Sequence, residues 1–168
     1  CRMDSDDVAH PERLERQVGF LESNPGVALC GSRVGHIGLP AGEGRQRYLD
    51  WLNAILEPED VVRELFVECP IAHPASMMRR EAFDAVGGYQ DFGWAEDYDL
   101  IMRFALAGYG MANADAELLR WRQSEGRLSM DDWRNSLEQF RRLKRHYLEK
   151  LYLDSRRTFY ISEEHTSE

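Results

Sequence analysis

Asp4-Ser5-Asp6-Asp7 crowds three carboxylates into four residues near the start of the chain. Like charges this close raise one another's pKa unless a cation or a cluster of donors offsets them, so the turn invites a divalent ion. All-oxygen donors suit Mg²⁺ or Mn²⁺, which keep several waters and commonly share a phosphate ligand with a substrate. The residues leave a second reading open, a solvated acidic turn capping the helix entered at Pro11. A calcium EF-hand is excluded. Counted from Asp4, its fifth and sixth positions are Val8 and Ala9, where that loop needs an acidic or amide residue and a glycine.

A second acidic pair, Glu96-Asp97, lies within Trp94-Ala95-Glu96-Asp97-Tyr98-Asp99, just before an amphipathic stretch. At a helix N-terminus the backbone dipole favours the ionised carboxylate, which makes Asp97 a candidate proton acceptor. A general base must reach the hydroxyl that it activates, and an aromatic such as Trp94 would provide a wall for a sugar ring. Helix starts are also acidic for stability alone, and the residues do not separate the two.

These motifs need elements to position them. The spacing predicts a helix from Pro11 to the breaker Asn24-Pro25-Gly26, with Leu14, Val18 and Leu21 as its apolar face. A short buried strand follows over Val27 to Val34, then a glycine-rich loop from Gly31 to Gly44. Tyr48, Leu52 and Ile55 predict one helix and Val62, Leu65 and Phe66 a second, with a strand over Ala75 to Arg79. Glu81 to Val86 forms a helix ended by Gly87-Gly88, and Asp97 to Ala107 one closed by Gly108. Met111 to Arg122 holds one or two strands. From Met130 to Leu153 a helical stripe runs through Trp133, Leu137, Phe140, Tyr147 and Leu151, before a frayed tail from Thr158. Interleaved strands and helices predict an α/β fold. The opening CRMDSDD reads as the end of a buried strand entering an acidic turn, so the chain is expected to be a fragment.

At 168 residues and 43% hydrophobic, the chain suffices for one core. Its net charge of −9 argues against a nucleic-acid binder, whose affinity rests on neutralising phosphates. The charge is uneven, with Arg120 to Arg157 carrying 11 basic and 6 acidic residues. No apolar run is long enough to span a membrane and the N-terminus lacks a signal-peptide pattern, so a soluble, unexported protein is expected. Cys1, Cys30 and Cys69 lack CxxC spacing, and Cys30 lies in an apolar run. A buried free thiol and a reducing cytoplasm are expected.

RMDSDD, then PERLxxQ, CPIAHPASMMRREAF, GGY, WAEDYDLIMRFALAGY and LLRWRQSEGRLS together resemble the family 2 glycosyltransferases of the GT-A fold, from Arg2 to about Ser129. The resemblance implies a partial GT-A, Rossmann-like fold. Residues 1–129 would be the C-terminal portion of the domain, on its metal and acceptor side, and 130–168 a C-terminal helix and tail. By this resemblance the family's N-terminal nucleotide-binding half, which would precede the acidic turn, is expected to be absent here. By the same resemblance Asp4 and Asp6 hold a divalent metal (Mg or Mn) against the diphosphate of a nucleotide sugar, with Asp7 beside them. Asp97 is the base of one inverting displacement, and Glu96, Trp94, His73 and Arg122 line the substrates. His73 is equally readable as a structural histidine bonded to backbone. The acceptor would be a saccharide or lipid-linked sugar in cell-surface polysaccharide or glycolipid synthesis. The basic C-terminal helix would rest on an anionic membrane or present a solvated face. Two other classes compete with this reading. A non-catalytic interaction module derived from such an enzyme stays open because the nucleotide half is expected to be missing. An unrelated Mg²⁺-dependent phosphoryl-transfer enzyme is disfavoured, since no glycine-rich loop leads into Lys-Ser or Lys-Thr.

Overall fold

The computed structural model describes residues 1–38, 40, 42–123 and 132–153. In chain order they form β1 (Val8–Ala9), α1 (Arg13–Ser23), β2 (Val27–Gly38), α2 (Glu43–Ala54), α3 (Pro58–Glu64), β3 (Met77–Met78), α4 (Arg80–Ala85), α5 (Glu96–Leu106), β4 (Gly110–Gln123) and α6 (Leu137–Leu148). The expected frayed tail and the end of the LLRWRQSEGRLS motif lie outside the described residues.

The strands make one mixed sheet in the order β1-β4-β2-β3. β2 and β4 run parallel at its centre, while β1 pairs antiparallel with β4, and β3 antiparallel with β2. A central strand is covered on both faces, which is why Val27 through Ser32 is continuously buried rather than alternating. The architecture is a mixed α/β fold consistent with a partial GT-A, Rossmann-like domain.

Three apolar clusters fasten helices to this sheet. Tyr98, Leu100, Ile101, Met102 and Phe104 of α5 pack with Leu29, Met111, and Leu143 and Tyr147 of α6. Leu49 and Leu52 of α2 cover Val34, Ala72, Ala75 and Leu119. Leu21 of α1 meets Val27, Cys30, Met77 and Ala112. Cys30 is a buried free thiol, as expected.

Several expectations are corrected. β2 continues to Gly38, through glycines that suggested a loop. Gly31 and Gly35 are strand residues because neighbouring side chains cross them: a Cβ at Gly31 would lie 2.0 Å from Asn113 Oδ1, and one at Gly35 2.4 Å from Glu117 Oε1. The residues from 111 to 122, expected as one or two strands, form the single strand β4. Cys1 to Met3 do not form a strand, although the Arg2 N–H donates to the Ser76 carbonyl at 2.9 Å. Helix α1 turns a different face inward from the one its hydropathy suggests, burying Arg13, Gln17 and Leu21 and leaving Leu14 and Val18 60% and 45% exposed. In the C-terminal segment Trp133 occupies a separate 3₁₀ turn and the Ser136 hydroxyl caps α6, so Trp133 and Leu137 stand 62% and 65% exposed, off the buried stripe.

Candidate active site

The acidic run folds as a turn, with the Asp7 N–H on the Asp4 carbonyl at 3.3 Å. Its carboxylates face different surroundings. Asp4 pairs with the Arg2 guanidinium at 2.7 Å. Asp6 is exposed, and its backbone carbonyl accepts from Arg122 Nε at 2.6 Å. Asp7 is turned inward, its Oδ1 accepting the Arg122 backbone N–H at 2.8 Å. Arg122 thus clasps the turn to β4 by both backbone and side chain.

Beneath the turn, α1 supplies a polar anchor that hydropathy could not indicate. Arg13 Nη2 donates to the Arg2 carbonyl at 2.7 Å, and its Nε to Gln17 Oε1 at 3.0 Å. Gln17 Nε2 reaches the Ala75 carbonyl at 2.8 Å and the Gly31 carbonyl at 3.3 Å. Buried carbonyls need donors, and here a buried arginine and glutamine provide them. These are the Arg and Gln of the PERLxxQ motif, and they join the acidic turn to the His73-Pro74-Ala75 turn.

His73 belongs to that second turn. Its Nδ1 faces Asp97 Oδ2 at 3.9 Å, within ion-pair range when the ring is protonated, and its Nε2 meets the Tyr89 hydroxyl at 2.7 Å. The ring is hydrogen-bonded to the Tyr89 phenol, and the backbone-bonded reading of His73 is not what the structure contains. Asp97 opens α5, where its Oδ1 accepts the Tyr98 N–H at 2.7 Å. Burial raises its pKa, against the opposing pull of His73 and of the Tyr98 hydrogen bond, while Glu96 pushes it further up. Desolvation therefore sets the direction of the shift, the reverse of the expectation from position alone. A carboxylate poised upward in this way is a better proton acceptor than an ordinary one.

The two acidic motifs share one neighbourhood. The Tyr89 phenol, lifted above its usual range by burial, feels Arg2, Asp97, Glu96 and Asp4 together. Tyr89 follows the left-handed Gly87 and Gly88 that stop α4, and the GGY signal marked this turn without giving the phenol a role. Trp94, half-buried, donates its indole N–H inward to Asp99 Oδ1 at 2.8 Å, and its ring lies 5.8 Å from that of Phe92. Asp99 and its partner Arg103 were also missed, because a charge on a helix gives no sign in the sequence of facing the core.

Mg²⁺ or Mn²⁺ fits the acidic turn only in part. Among the described residues no group of three or more His, Cys, Asp or Glu side chains is placed to hold a metal ion. The oxygen donors of Asp4 and Asp6 suit a hard cation that completes its shell with water and phosphate.

The sequence matches the family described as Glycosyl transferase family group 2 over residues 2–162. It is 31% identical over 122 residues to an amylovoran biosynthesis glycosyltransferase, AmsE, of Erwinia amylovora, covering 73% of this chain and 44% of that protein. It is 28% identical over 128 residues to an uncharacterized glycosyltransferase of Haemophilus influenzae, covering 76% of this chain and 46% of that protein. The chain spans about half the length of these relatives. With the match running through every segment that builds the site, the chain belongs to the group 2 glycosyl transferases.

Proposed function

We propose that this chain is the metal and acceptor side of an inverting, nucleotide-sugar-dependent glycosyltransferase that builds a polysaccharide or glycolipid. The observation that carries the reading is that Tyr89, hydrogen-bonded to the His73 ring that faces Asp97, also feels the charges of Arg2 and Asp4 at the acidic turn. Asp97 takes the proton of the acceptor hydroxyl as that oxygen bonds to the anomeric carbon. The bond from that carbon to the diphosphate oxygen breaks, and the nucleoside diphosphate leaves with its electron pair. His73 faces the carboxyl that has taken the proton, and Tyr89 fixes the imidazole from its other side. Asp4 and Asp6 are the residues that would hold Mg²⁺ or Mn²⁺, which when bound neutralises charge on the departing diphosphate. Asp7 and Arg122 keep the turn against β4, and Trp94 with Glu96 borders the acceptor.

The acceptor is a saccharide or a lipid-linked sugar met at the cytoplasmic face of a membrane. The outward arc of α6, with Arg141, Arg142 and Arg145 exposed, suits peripheral contact with anionic lipid. Among the described residues no helix is long and apolar enough to cross a membrane.

Titration of the complete protein with UDP, GDP and dTDP, with and without Mn²⁺, separates a catalyst from a non-catalytic module. Binding that requires Mn²⁺ and is lost in Asp6→Ala supports the transferase. Absence of nucleotide binding in either condition refutes it and favours the interaction module.

A further inference from the structure

The Asp99 carboxylate is 0% exposed and lies two residues beyond Asp97 on α5. Its Oδ1 accepts two hydrogen bonds, from the Trp94 indole N–H at 2.8 Å and from the Tyr147 hydroxyl at 2.7 Å. Its Oδ2 accepts Arg103 Nε at 2.8 Å. Arg103 in turn donates through Nη1 to the Val86 carbonyl, immediately before the Gly87-Gly88-Tyr89 turn. His146, next to Tyr147 on α6, places its ring 5.4 Å from that of Trp94.

A buried ion pair needs only its counter-charge and enough donors to satisfy it. This one ties together the Trp94 loop, α5, the Val86 carbonyl that precedes the Tyr89 turn, and the C-terminal helix. We propose that Asp99 is a positioning residue through which α6 becomes part of the acceptor site, Tyr147 and Asp99 together fixing Trp94 beside Asp97. The proposal rests on the reading of Trp94 as the acceptor's wall. Without the Tyr147 hydroxyl, Asp99 keeps its charge partner and Tyr147 its ring packing. Trp94 is then the sole donor to Oδ1, and α6 loses its polar tie to α5, so the carboxylate that orients the indole is held less firmly. The acceptor should feel this and the donor should not.

The test uses the complete protein with UDP-, GDP- and dTDP-linked hexoses as donors and p-nitrophenyl glycosides as acceptors, taking forward the pair that the unaltered enzyme uses fastest. Tyr147→Phe should raise the acceptor KM roughly three- to tenfold, the worth of one hydrogen bond, while the donor KM stays within about twofold. Trp94→Phe should do the same, and the double variant should be no worse than the poorer single one, because both act through one carboxylate. An unchanged acceptor KM in Tyr147→Phe, or fully additive effects, overturns the proposal, even if thermal stability falls. A second arm needs no turnover. The ¹⁵N-labelled Trp94 indole N–H should exchange with solvent at least about tenfold more slowly than that of exposed Trp133, and Tyr147→Phe should accelerate it. Equal rates in the two proteins overturn the proposal. An unaltered enzyme that transfers no sugar from any donor refutes the glycosyltransferase reading instead, and the indole arm then decides on Asp99.

Discussion

Replacing Gln17 with leucine removes the junction between the acidic turn and the His73 turn while keeping side-chain volume close to its original value. Three buried partners lose bonds: the charged Arg13 Nε, 3.0 Å from Gln17 Oε1, the Ala75 carbonyl, 2.8 Å from Gln17 Nε2, and more weakly the Gly31 carbonyl at 3.3 Å. Arg13 is 2% exposed, so water does not replace the lost acceptor. A hydrogen bond to a charged group is worth about 1.5–3 kcal/mol, and a buried carbonyl left without its donor costs about 1–3 kcal/mol. The apolar side chain returns part of this, which leaves an expected loss of about 3–4 kcal/mol. That is a large share of the roughly 5–15 kcal/mol typical of a folded domain. Urea unfolding should show a lower midpoint at constant slope. Val18→Ala, one residue further along α1 and exposed, should change stability by less than about 0.5 kcal/mol. A loss below about 1 kcal/mol in Gln17→Leu would refute the view that this pair holds the two turns together.

Three other outcomes follow from the same geometry. Burial raises the Asp97 pKa, so its ionisation destabilises the fold as pH climbs from the ordinary carboxylate range through the folded-state value, and the penalty is complete above it. Asp97→Asn should therefore melt at a higher temperature than the unaltered protein at pH 7, with the gain vanishing below the ordinary carboxylate range; a lower melting temperature at pH 7 contradicts this. Gly31→Ala should cost about 2–3 kcal/mol by chemical denaturation, because the new methyl group meets Asn113 Oδ1 and lies 2.7 Å from Ile71 Cγ2, and a neutral effect would show that Asn113 yields freely. Burial pushes the Cys30 thiol up to about 12 and holds Cys69 well above its ordinary range, while Cys1 is exposed. Iodoacetamide at pH 8 should thus label Cys1 in the native protein and spare the other two until urea is added, as mass spectrometry of the peptides would reveal.

What the sequence made legible was whatever hydropathy and punctuation encode. Helix α5 was plain because Leu100, Ile101 and Phe104 recur at helical spacing before Gly108, whose left-handed φ of 77° ends it. The acidic turn and the placing of Asp97 at a helix start were plain for similar reasons. What stayed hidden depends on partners distant in sequence. Arg13 and Gln17 look like the solvent face of α1 until the carbonyls of Arg2 and Ala75 come to lie beneath them. Gly31 looks like a loop residue until Asn113 crosses it, while Asn113 itself donates to the Ile55 and Pro70 carbonyls at 2.9 and 3.1 Å. Tyr89 and Asp99 belong to motifs visible as strings, yet their bonds to His73, Trp94 and Tyr147 exist only once four segments have been brought together.

The central claim is that Asp97 activates the acceptor while the acidic turn serves the donor, and turnover by Asp97→Asn in the complete protein tests it most directly. Sugar transfer should fall by about 10²- to 10⁴-fold, the usual contribution of a positioned general base, while Mn²⁺-dependent binding of the nucleoside diphosphate persists. Transfer at the unaltered rate would contradict the account.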